Sequence, residues 1–180
     1  MGRAYRRAES SHPPRLRGGA GGQGAAQFGF MAGIYAKLRI HLVWSTRGRR
    51  PWLDRDWHGR LFARSNVLAA SVGARLVSAG AGRDHLHLYV ELPAALALAP
   101  LVDTLKTGTA RWIRRTFPHR REFMWQEGYA AFSVSPGDDA RLLDDLRHQD
   151  VRHRERDFAG EYLSLLELHG VSYTLQEALN

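Results

Sequence analysis

Residues 85–92 read HLHLYVEL, and no other stretch leaves the chain less freedom. Leu86, Leu88 and Val90 alternate with His85, His87 and Tyr89, the period of a β-strand with one face in a core. That geometry puts both imidazoles on the opposite face, two residues apart. Two readings of this face stay open. It is a solvated surface that tolerates polar residues, or it is a metal site in need of a third ligand, since imidazole is a common ligand.

The neighbouring segments define the expected architecture. AKLRIHLVWST (36–46) alternates with Leu38, Ile40, Leu42 and Trp44 on one face, a second strand pattern. Pro51 and Asp54 open a helix with Trp57, Leu61, Phe62, Leu68, Ala69 and Val72 at helical spacing. Residues 74–82 and 84–92 read as adjacent strands. Residues 95–117 read as a helix, with Leu98, Leu101, Val102, Leu105, Trp112 and Ile113 on one stripe. YAAFSVS (129–135) is a fourth strand, and Pro136-Gly137-Asp138 turns into a helix with Leu142, Leu143 and Leu146 inward. A last helix, 157–169, ends at Gly170. The order β-α-β-β-α-β with extra C-terminal helices predicts an α+β, ferredoxin-like sandwich. One sheet face would carry the helices. The other would be open, with His85 and His87 on it.

This pattern occupies residues 34–180, one domain. Residues 1–33 carry five Arg, one Glu and no hydrophobic period, and read as a disordered basic extension, with Met31 an alternative start. The chain contains no Cys, which excludes disulfides, thiolate metal sites and Cys nucleophiles. No apolar run reaches the roughly 18–20 residues of a membrane span. The net charge of +8 suggests a polyanionic partner, nucleic acid first. Only Lys37 and Lys106 are lysines, so the alternative is an Arg-rich composition without a functional cause.

A third ligand is sought in DDARLLDDLRHQDVRHRERDF, where Asp145 and Gln149 lie four apart on one helix face, away from Leu142, Leu143 and Leu146. Gln149 is either part of a solvated face or the partner of the imidazoles. A His-His-Gln set suits Mg²⁺ or Mn²⁺.

Five segments, YAKLRIHLVWSTRGRRPWL, AGRDHLHLYVELP, LVDTLKTGTARWI, MWQEGYAAFSVS and HQDVRHRERDFAGEYLSLLELHGVSYT, occur in one order. Over Tyr35 to Tyr173 this series resembles the single-tyrosine HUH transposases of small insertion sequences, above all the REP-associated tyrosine transposases. The resemblance implies an HUH endonuclease-type fold acting as a homodimer on single-stranded hairpin DNA in DNA transposition. It implies divalent-metal ligation by His85, His87 and Gln149, and strand cleavage and rejoining through a phosphotyrosine, without a nucleotide cofactor. It also implies that Lys106, Arg111, Arg114 and Arg115, with Arg47, Arg49 and Arg50, line the DNA groove. Their alternative is a solvated basic face. A cytoplasmic, nucleoid-associated protein without membrane contact follows.

The chain departs from the family pattern at one position. Four residues before Gln149, where the family carries its nucleophilic Tyr, stands Asp145. Tyr89, on the histidine face, is the least unsuitable substitute. His41 is expected to be a sheet-face residue and not a ligand. The readings are therefore a transposase-family protein impaired in strand transfer, an active enzyme with a relocated Tyr, a hydrolytic single-strand nuclease with Asp145 on the metal, and a non-catalytic DNA-binding regulator.

Overall fold

A computed structural model describes residues 35–149 and 157–179. The expected extension 1–33 and residues 150–156 of the segment after the fourth strand lie outside them. The strands are β1 (Leu38–Ser45), β2 (Arg75–Ala81), β3 (His85–Leu92) and β4 (Ala130–Ser133). The α-helices among the described residues are α1 (His58–Ser71), α2 (Leu98–Thr116), α3 (Asp139–Arg147), α4 (Phe158–Leu168) and α5 (Leu175–Leu179). The sheet is antiparallel, in the order β2-β3-β1-β4. This is the predicted α+β sandwich with additional C-terminal helices.

The alternation of β3 sorts the sheet into two faces. Leu86 pairs with Trp44 and Leu88 with Leu42, and these four are fully buried. They join Leu61 and Ala69 of α1 and Leu101, Leu105 and Ile113 of α2 in the larger core. His87 pairs with Val43, which pairs in turn with Ala130 of β4. That second face is not open as expected. Phe158, Tyr162 and Leu166 of α4 pack with Val43, Ala130 and Phe132 into a separate core. His85 and His87 are each 1% exposed. The helix at 157–169 was legible, but the face it covers depends on a contact far away in sequence.

A register shift in β2 shapes the second face. Leu76 pairs with Val90, yet Ser78 pairs with Tyr89, so Val77 is an extra residue. One inserted residue reverses which side chains face which layer. It turns Ser78 and Gly80 toward the histidines, and Gly80 pairs with His87.

The N-terminus of α3 is tied to the same face. Arg39 donates to Asp139 at 2.8 and 3.0 Å and to Glu91 at 3.1 Å, while the Tyr89 hydroxyl donates to Asp139.

The two-core division gives a stability prediction. Leu88→Ala should cost about 2–5 kcal/mol by loss of burial and the cavity left behind. Leu168→Ala, at a side chain 75% exposed, should stay within about 0.5 kcal/mol. Urea unfolding of both variants measures the difference.

Candidate metal centre and nucleic-acid surface

Each imidazole of β3 is held through Nδ1. His85 Nδ1 lies 2.6 Å from Asp84 Oδ1, and the His85 ring stacks on Phe158 with centroids 4.6 Å apart. His87 Nδ1 lies 3.0 Å from His41 Nε2, and these rings are stacked too. Burial foremost, then the charge of His169, lowers the His41 pKa to about 4, so His41 is neutral at pH 7. A neutral His41 can accept through Nε2 the proton on His87 Nδ1. His87 then keeps its lone pair on Nε2, as does His85 when Nδ1–H donates to Asp84. That tautomer is the one metal ligation through Nε2 requires, and outer partners of this kind fix ligand orientation.

Glu161 completes the cluster. Its Oε1 lies 3.6 Å from His87 Nε2. One ligand atom each from His85, His87 and Glu161 fall within 4.8 Å of one another. That span is comparable with two metal–ligand bonds of about 2.1 Å each. Gln149, also buried, donates from Nε2 to Glu161 Oε1 at 3.3 Å. Two imidazoles, a carboxylate and an amide are a borderline-to-hard donor set that fits a divalent ion.

Glycines make this packing possible. A Cβ on Gly80 would lie 2.9 Å from the Leu146 carbonyl oxygen and 3.0 Å from Gln149 Oε1, so α3 sits on β2 at a distance only Gly permits. A Cβ on Gly82 would fall on the His85 ring.

A cleft of about 500 Å³ between α3, α4 and the sheet is lined by His41, His87, Asp145, Gln149, Glu161 and His169, among others. Asp145 and Gln149 thus share a cavity with one of the two sequence-predicted histidines. Tyr89 is occupied differently. Its hydroxyl is engaged by Asp139 and Arg39. Burial, then the hydrogen bond to Asp139, pushes its pKa up, which disfavours the phenolate.

The basic residues divide. Arg111 and Arg115 are exposed on α2, whose apolar stripe covers the Leu86–Leu88 face. They are therefore across the sheet from the histidines. Arg114 donates to the Phe123 carbonyl at 3.0 Å. Arg47 donates to Glu127 at 3.1 Å, Arg49 to the Leu179 carbonyl, and Arg50 lies over the Trp52 ring. Lys106 is used otherwise than expected. Its Nζ donates to the carbonyls of Gln126, Glu127 and Gly128 at 2.7, 2.8 and 2.7 Å, so the charge clamps the segment before β4. Burial lowers its pKa to about 8 against the opposing pull of Glu127.

Sequence reasoning missed Asp84, His41 as a partner of His87, the two glycines and Glu161. Glu161 left a signal. It lies in the first turn of α4 beside Phe158 and Tyr162, where an acid suits the helix N-terminus but where two apolar neighbours point to a side chain turned partly inward.

Residues 34–143 match the family model described as Transposase IS200 like. A 1.90 Å crystal structure from Deinococcus radiodurans R1, assigned as a transposase, is 25% identical, covers 65% of this chain and 94% of its own, and superposes with a TM-score of 0.55. The structure of a REP-associated tyrosine transposase bound to a REP hairpin is 15% identical, covers 67% and 71% of the two chains, and gives a TM-score of 0.52. The latter likeness is one of fold alone. No curated protein matches the chain. The family match ends before Asp145, Gln149 and Glu161. No helix among the described residues is long and apolar enough to cross a membrane.

Two predictions follow from the cluster. The folded His41 pKa of about 4 lies below the ordinary 6.5, so the unfolded chain binds more protons between these values. The His41 contribution is complete above pH 6.5 and is lost as pH falls toward 4. The Tm should drop across this window, and His41→Gln should reduce the drop, measured by thermal unfolding at each pH. Gly82→Ala should displace the His85 ring and weaken Mn²⁺ binding at least about tenfold by calorimetry, with far-UV dichroism unchanged.

Proposed function

Because the chain belongs to the IS200-like transposase family, we propose that it is a metal-dependent protein of DNA transposition that binds single-stranded hairpin DNA as a homodimer and forms no phosphotyrosine intermediate. The observation that carries the last point is Asp145. It stands four residues before Gln149, with α3 ending between them at Arg147 instead of running on as expected, and it lines the cleft with His87, at the position where the family pattern has its nucleophile. The engagement of Tyr89 by Asp139 and Arg39 supports the same reading. An acyl phosphate on Asp145 would be hydrolysed easily and would not store a DNA end.

His85 and His87, with Gln149 beside them, would hold Mg²⁺ or Mn²⁺. Such an ion supplies charge stabilisation and polarisation at a scissile phosphate. Asp84 and His41, each within hydrogen-bond distance of one Nδ1, keep the imidazoles aimed. Phe158 closes one side of His85 and limits water there. The hairpin-bound relative supports a hairpin ligand. Arg111 and Arg115 of α2, with Arg47, Arg49, Arg50 and Arg114, are the proposed phosphate contacts, because they offer charge without base readout. Arg111 and Arg115 lie on the α2 side of the sheet, so a stem held by them and a phosphate in the cleft would meet different faces.

A second reading has its own observation. Asp145 and Glu161 both line the cleft, and two carboxylates beside a phosphate suit hydrolysis. One of them would take a proton from water as its oxygen attacks phosphorus. The P–O3′ bond would break as the departing O3′ takes up a proton, from the carboxyl group so protonated or from water, leaving a 5′-phosphate and a 3′-OH.

Labelled hairpin DNA with Mg²⁺, run on a denaturing gel, separates these readings. The parent should give no covalent protein–DNA band, and Asp145→Tyr should give one. A covalent band from the parent would overturn the proposal. Released fragments without a band would establish the hydrolytic reading. For binding, Arg111→Ala and Arg115→Ala should each lower the salt slope by about 0.7 per lost phosphate contact. Fluorescence anisotropy from low to moderate salt measures it, and hairpin should be preferred over blunt duplex.

A further inference from the structure

We infer that Glu161 is the anionic ligand of the metal centre, that Gln149 positions its carboxylate, and that metal binding therefore fastens α4 to the sheet. This rests on the reading of His85 and His87 as metal ligands. Glu161 lies outside the family-matched residues 34–143, so the match itself assigns it nothing.

Three observations carry the assignment. The first is position. Glu161 lies on α4 between Phe158 and Leu165 and lines the cleft beside His87 and Gln149, with its side chain 27% exposed. A carboxylate partly withdrawn from water in this way favours a nearby cation or donor. The second is aim. Glu161 Oε1 approaches His87 Nε2 at 3.6 Å, the nitrogen opposite the one held by His41, and its ligand atom groups with those of both imidazoles. The third is the direction of Gln149. Its Nε2 donates to Glu161, while its Oε1 faces Gly80. In this arrangement the amide presents its hydrogens to the carboxylate, which is the role of an outer residue that orients a ligand.

The consequence is mechanical. His85 and His87 belong to β3, Gln149 follows α3, and Glu161 belongs to α4. An ion bound by β3 and α4 together links α4 to the sheet. Ion binding and ordering of α4 become one equilibrium, because any species that binds the docked form alone stabilises it.

The test uses the full chain, Mn²⁺ alone, and the variants Glu161→Gln, Glu161→Ala, Gln149→Ala and His87→Ala. Calorimetry should show a loss of at least about 100-fold in Mn²⁺ affinity for Glu161→Ala and a loss of about 10–100-fold for Gln149→Ala, the range typical of outer partners. Hydrogen exchange should show that Mn²⁺ slows the amides of 158–168 in the parent and not in Glu161→Gln, which keeps the size of the side chain. If both Glu161 variants bind Mn²⁺ like the parent while His87→Ala does not, Glu161 is no ligand and the inference falls, with the histidine site intact. If Gln149→Ala loses more affinity than Glu161→Ala, the roles are reversed and the inference also falls. If His87→Ala binds like the parent, the metal-site reading on which it rests fails instead.

Discussion

Every functional feature of this chain depends on the alternation of β3 between two dissimilar layers. Leu86 and Leu88 are sealed against α1 and α2, and this burial fixes the register of the strand. A slip of one residue would turn His85 and His87 into the larger apolar core, away from their polar partners, and take Leu86 and Leu88 out of it. The larger core thus holds the imidazoles in place without touching them. The central position of β3, between β2 and β1, gives the site backbone pairing on both sides.

Around the imidazoles the structure combines close fit with directed polarity. The irregularity at Val77 brings Gly80 opposite His87, and the missing side chain lets the Leu146–Gln149 end of the helix layer approach the sheet. Asp84 and His41 hold the two Nδ1 atoms from different sides. Arg39, Tyr89 and Asp139 tie down the start of α3, whose far end leads to Gln149. The cluster is therefore supported by the sheet, by its own neighbours in sequence and by the helix layer.

Charge is distributed by function as well. The net positive charge of the chain is carried almost entirely by Arg, and Arg111 and Arg115 present it on the outer side of α2. Asp145 and Glu161 line the cleft on the other side of the sheet. A polyanion is attracted to the first surface and needs a compensating cation at the second.

Local pattern determined the strands, the two long helices and the pairing of His85 with His87 on one face, because side-chain period depends only on backbone geometry. The family resemblance, and not the local pattern, implies that Asp145 stands where a nucleophilic Tyr is expected. The family resemblance read from ordered motifs agrees with the match over residues 34–143. The tertiary structure alone decided that the histidine face is covered, since that depends on where α4 docks. It decided that Lys106 clamps three carbonyls rather than standing in solvent, because those carbonyls lie about 20 residues away. It brought Glu161 to His87 across 74 residues of chain, 161 less 87. Periodicity reports which way a residue faces within its own element. The partner it meets is set by packing between elements, and that is where His85, His87 and Glu161 are brought together.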